Sequence, residues 1–142
     1  MNEHGFVRSV HRQLSPDIFV WKINDTYAGG VPDAFYAGPA RCLFVEYKFI
    51  KLPKRPTTLV RSGLSEQQKL WLNRMLTLGK PVAVVLGSTE GHLITTKDWD
   101  KPVSAEHFRQ HAMSTKAVAA EISAFCLDLS HEYEEGFFRG CQ

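Results

Sequence analysis

The chain has 142 residues, 44% hydrophobic and 23% charged, with a formal net charge of +2. That is one soluble globular domain, residues 1–142, long enough for a sizeable core, and its bulk charge points to no particular partner. Three widely spaced cysteines, Cys42, Cys126 and Cys141, without any CxxC, exclude a disulfide framework or zinc ribbon and fit a reducing cytosol. The N-terminus has no apolar signal core, and the longest apolar run, Val82 to Leu86, is far too short to span a membrane, so the expectation is a cytoplasmic protein with no membrane partner.

In chain order, Asn2 to Leu14 predicts an opening helix with Phe6, Val7, Val10 and Leu14 on one stripe, stopped by Ser15-Pro16-Asp17. Glu3 lies one turn before Val7 on that stripe, either as a solvated first-turn acid favoured by the helix dipole or leaning over the sheet. Ile18 to Ile23 alternates as a strand, and the polar loop Asn24 to Gly30 follows, with Asp25 as a turn residue. A short strand, Ala34 to Tyr36, reverses at Gly38-Pro39 into an apolar run, Cys42 to Lys48. The segment FIKLPKRPTTLVRSG then carries Lys51, Lys54, Arg55 and Arg61 and no acid, and its prolines at 53 and 56 keep it out of helix and central strand. It reads as a basic surface loop, suited to a phosphate backbone if it lies beside a site.

Leu64 to Gly79 predicts a helix with Ser65 as N-cap, Gly79 just past its end and Pro81 forbidding continuation. Gln68, Trp71, Leu72, Met75 and Leu76 fall on one stripe. Ser65 and Gln68 also fit a capping box, so the Gln68 side chain has two competing roles. Val82 to Leu86 and His92 to Thr96 predict two more strands, Ser104 to Met113 a short helix, and Thr115 to Glu135 a long amphipathic one with Val118, Ile122, Phe125 and Leu129 on one stripe. His107 and His111 stand one turn apart, without the third ligand or HExxH order that zinc chemistry needs.

The chemistry concentrates in GGVPDAFYAGPARCLFVEYK, Gly29 to Lys48. On a strand, Glu46 and Lys48 point one way and Leu43, Val45 and Tyr47 the other. With Asp33 set against the Glu46 face, two carboxylates and an ammonium converge. Carboxylates about 4 Å apart repel by roughly 4 kcal/mol at an effective dielectric of about 20, so a cation is needed between them. Oxygen donors in a half-open site suit a hard ion, most simply magnesium. The plain alternative is a Pro-Asp turn and a solvated Glu46–Lys48 ion pair, but Cys42 to Val45 is apolar on both faces, as in a central strand, where an unpaired charge is expensive.

The order helix glutamate, GVPD, strand ending in ExK, then LSxxQxxWL resembles the PD-(D/E)XK nuclease superfamily, and within it the virus-type replication-repair nuclease (VRR-NUC) group, over roughly Glu3 to Leu86. The resemblance implies an α/β fold with a restriction-endonuclease-like core, a central mixed β-sheet flanked by helices (αβββαβ) over about residues 3–96, with extra C-terminal helices over about 104–136. It implies metal ligation by Asp33, Glu46, the Tyr47 backbone carbonyl and Glu3, with Lys48 as catalytic lysine and Gln68 as the glutamine of the following helix. The activity implied is Mg2+-dependent DNA hydrolysis, with Mn2+ able to substitute, on double-stranded or branched DNA such as four-way junctions, by a homodimer of phage-like type paired through the C-terminal helix. Lys51, Lys54, Arg55 and Arg61 would contact DNA. Tyr47 is bulkier than the aliphatic residue usual at that place. Two other readings remain: a nuclease fold that binds DNA or a protein without cleaving, and an unrelated α/β protein with structural ion pairs.

Overall fold

The computed structural model describes residues 2–25 and 27–128, with the Glu3 side chain outside the description. Helix α1 spans Glu3–Gln13, and its N-cap Asn2 accepts a hydrogen bond from the Gly5 amide at 2.8 Å. Phe6, Val10 and Leu14 are buried, so the predicted stripe is the one that meets the core. Strands β1 (Phe19–Lys22), β2 (Ala34–Ala37) and β3 (Cys42–Phe49) form an antiparallel meander. Helix α2 (Glu66–Thr77) then crosses over to β5 (Val82–Ser88), which pairs parallel to β3, and β6 (Gly91–Thr95) returns antiparallel. A parallel pair needs such a crossover, and α2 supplies it.

The five strands run in the order β1-β2-β3-β5-β6, which makes β3 central. One sheet face packs Leu43, Val45 and Tyr47 against Phe6 and Val10 of α1 and Val118, Ile122 and Phe125 of helix α4 (Thr115–Leu127). The other packs Val82, Val84 and Leu86 against Leu72 of α2 and Phe108 of helix α3 (Ala105–His111). This is the mixed sheet between helical layers, with added C-terminal helices, that the motif order implied. Among the described residues no helix is long and apolar enough to cross a membrane.

Two expectations change. The strand expected over Ile18 to Ile23 is shorter, Phe19–Lys22, and all four of its residues are exposed, on an edge strand with one neighbour. The basic segment is more ordered than a surface loop: β4 (Leu59–Val60) pairs with β7 (Val103–Ser104), and α3 is tied to it by Ala105 N–H to Thr58 O at 2.9 Å and Glu106 N–H to Pro56 O at 3.0 Å. The C-terminal helix is described to Leu127, capped at Asp128, and the predicted continuation to Glu135, with Leu129 and Cys141, lies outside the described residues.

Candidate active site

Asp33 is the residue just before β2. The pairing of Ala34 with Val45, continued by one residue, sets Asp33 opposite Glu46, and side chains directly opposite share a face with Cβ atoms about 4.5–5.5 Å apart. Because the ladder stops at Ala34, the Tyr47 amide has no strand partner there and donates instead to Asp33 Oδ2 at 2.8 Å. In an extended strand the N–H and C=O of one residue face the same neighbour, so the Tyr47 carbonyl also opens toward the Asp33 side.

Glu46 sits in the central strand with 4% of its surface exposed. It shares its face with Phe44, whose ring meets Trp71 of α2 edge-on at 5.1 Å. Gln68 Nε2 donates toward Glu46 Oε1 at 3.4 Å, while Gln68 Oε1 accepts from the Ser65 amide at 2.9 Å. The two competing roles therefore coexist: one end of the amide closes the capping box and the other faces the buried carboxylate. Ser65→Ala and Gln68→Ala are each expected to lower stability by about 1 kcal/mol through the lost cap, as measured by urea denaturation.

The loop before Asp33 is drawn onto the same helix. Gly30 has φ +84°, and a Cβ there would stand 2.4 Å from the Gln67 carbonyl oxygen, so only glycine lets the backbone come this close. Asp25 fixes the start of the loop by accepting from the Tyr27 and Ala28 amides at 2.8 and 3.1 Å, the predicted turn. These bonds hold its carboxyl below the ordinary range.

Lys48 lies two residues beyond Glu46 on the same face, half-buried. Among the described residues its ammonium has no hydrogen bond or ion pair. Lys51, Lys54, Arg55 and Arg61 follow on the exposed segment around β4. The structure thus brings Asp33, Glu46, Lys48 and Gln68 to one place, with the Tyr47 backbone between the carboxylates. Glu3 opens α1, and its side chain lies outside the described residues.

Sequence reasoning missed what holds Tyr47. On the opposite face its hydroxyl hydrogen-bonds the Tyr36 hydroxyl, which in turn meets His11 Nε2 at 2.7 Å. Burial pushes both phenols well above their ordinary pKa and keeps them neutral, while burial and the nearby Lys22 charge push His11 down. The bulky residue in the middle of the motif is accommodated because Tyr36 and His11 satisfy its hydroxyl. The signal was present in that Tyr36 and Tyr47 both fall on core-facing strand positions.

The fold is restriction-endonuclease-like. It matches the solved structure of Hjc, a Holliday junction resolvase from the archaeal hyperthermophile Archaeoglobus fulgidus, with a TM-score of 0.51 and 12% sequence identity, over 83% of this chain and 95% of that one. No protein-family model and no curated protein matches the chain. In this restriction-endonuclease-like frame the clustered residues stand where β2 and β3 separate, beside the start of α2. His107 and His111 are far from them in the chain and occupied with each other, their rings 4.2 Å apart and His111 Nδ1 3.0 Å from the His107 carbonyl.

Proposed function

We propose that this chain is a divalent-metal-dependent DNA endonuclease that hydrolyses phosphodiester bonds and prefers branched DNA such as four-way junctions. The observation that carries it is the row in which the Tyr47 amide holds Asp33, Gln68 reaches Glu46 and Lys48, without a partner among the described residues, follows on the same strand face. The motif order supports placement among PD-(D/E)XK enzymes of the VRR-NUC kind, and the likeness to a Holliday junction resolvase fits a branched substrate.

The donor set fits magnesium. Mg2+ is held through one or two carboxylates and keeps several waters, and Asp33, Glu46 and the Tyr47 carbonyl offer two carboxylates and one further hard oxygen. Among the described residues no group of three or more His, Cys, Asp or Glu converges, so water would complete the shell, with Glu3 as the further acid that the family pattern supplies. When bound, the ion polarises the scissile phosphate and acidifies the attacking water. Lys48 orients that water and steadies the negative charge that grows on the phosphate. Gln68 keeps the Glu46 carboxylate in its rotamer, and Lys51, Lys54, Arg55 and Arg61 hold the DNA backbone through charge without reading sequence.

A homodimer is the assembly that two strand cuts ask for. The described apolar residues of α4, Val118, Ile122 and Phe125, are already buried in the chain's own core, which turns attention to the exposed Phe19, Trp21 and Leu70 as pairing surface. The test is cleavage of labelled linear, nicked, flap and four-way DNA, in magnesium and in chelator. Cleavage that requires magnesium and is fastest on the four-way substrate is expected; cleavage undiminished in chelator would overturn the proposal, and salt-sensitive binding without cleavage would leave a DNA-binding protein.

A further inference from the structure

A cavity of about 580 Å³ opens between α1 and the end of β1, beside Asp33, and none of the cations of the basic segment lines it. Its walls carry His4, Arg8 and His11 from α1 and Lys22 from β1. His4, Arg8 and His11 recur at i, i+4 and i+7, one face of the helix, while Phe6, Val10 and Leu14 turn to the core. Lys22 closes the cleft from the edge strand, near enough for its charge to act on His11.

The Arg and Lys side chains of the cleft are Arg8 and Lys22. Among the described residues neither Arg8 nor Lys22 makes a hydrogen bond or ion pair. Among the described residues the one carboxylate lining the cavity is Asp33, which already accepts from the Tyr47 amide. Two cations against that one described acid leave the cleft a positive balance, and low-dielectric walls concentrate it. Its volume lies within the usual range for a ligand site, large enough for a phosphate with its sugar.

We infer that the α1–β1 cleft binds a phosphate group of a nucleic-acid strand, next to the phosphate that lies at Asp33 and Glu46. This rests on the endonuclease function proposed above and adds a second anchoring point on the α1 side of Asp33, built from Arg8 and Lys22. The ligand chemistry is a phosphate ester, supplied either by a strand end or by the continuous backbone.

The experiment measures binding in chelator, where no cleavage intervenes, using one duplex made with a 5′-phosphate and again with a 5′-hydroxyl. Affinities are taken across a salt series for the wild type, for Arg8→Gln combined with Lys22→Gln, and for Lys116→Gln on exposed α4 as control. The slope of log K against log salt falls by about 0.9 for each phosphate neutralised, so the double variant, which loses the one phosphate held by Arg8 and Lys22, is expected to lose about 0.9 and the control nothing. A loss confined to the 5′-phosphate duplex assigns the cleft to a strand end, and an equal loss on both assigns it to an internal phosphate. A double variant with the wild-type slope on both duplexes, or a control that loses as much, would overturn the inference while leaving the nuclease proposal standing. No binding by the wild type to either duplex would reject both. Thermal unfolding of each variant checks that the fold is intact.

Discussion

Replacing Lys48 by alanine is expected to slow phosphodiester cleavage by about 10²- to 10³-fold, with DNA binding in chelator nearly unchanged. The ammonium lies on the Glu46 face of the central strand, half-buried and without a partner among the described residues, so it is already in place for charge that appears only in the transition state. Removing one such preorganised donor costs about 2.7–4 kcal/mol of barrier in enzymes generally. The loss should appear in single-turnover rates and not in the fraction of DNA bound. Lys48→Arg should rescue poorly, because the longer planar guanidinium presents its donors in a different geometry. Cleavage by Lys48→Ala at the wild-type rate would remove Lys48 from the chemistry.

The largest expected loss of stability follows Phe6→Ala. Phe6 is fully buried; its ring stacks on His92 at 4.5 Å and meets Tyr47 edge-on at 5.4 Å. Gly87 exists in this place for the ring: a Cβ there would stand 2.7 Å from Phe6 Cε1. Truncating a buried phenylalanine costs about 3–5 kcal/mol, from lost transfer energy and from the cavity left behind. For a chain of this size that is a fall in Tm on the order of 10 °C. The change also empties the space beneath Tyr47, so activity should fall in the residual folded protein. A Phe6→Ala Tm within about 2 °C of wild type would contradict the packing described.

Much of this was legible in the residues. Helix α1 and strand β2 announce themselves because their burial follows a simple period, β3 and β5 because their apolar runs are those of central strands, and α2 because Ser65, Gly79 and Pro81 punctuate it. The site is legible in the motif alone, where Asp33, Glu46 and Lys48 stand out without any register, and the register sets Asp33 opposite Glu46. What stayed hidden was long-range. Val60 and Val103 are far apart in sequence, and nothing local in a proline-broken segment says that they pair. The double role of Gln68 depends on the depth of Glu46 beneath α2. The cleft cations Arg8 and Lys22 come together only when α1 docks beside the edge strand β1.

The central claim is that Asp33 and Glu46 grip one divalent ion together in front of Lys48. Its most direct measurement is Mn2+ binding, by calorimetry or by the loss of the free-ion electron paramagnetic resonance signal, to the wild type and to Asp33→Asn, Glu46→Gln and Lys48→Ala. Saturable binding is expected in the wild type and in Lys48→Ala and should be lost in each carboxylate variant, since either amide halves the charge that holds the ion. Undiminished binding in both Asp33→Asn and Glu46→Gln would show that the two carboxylates do not form a shared metal site.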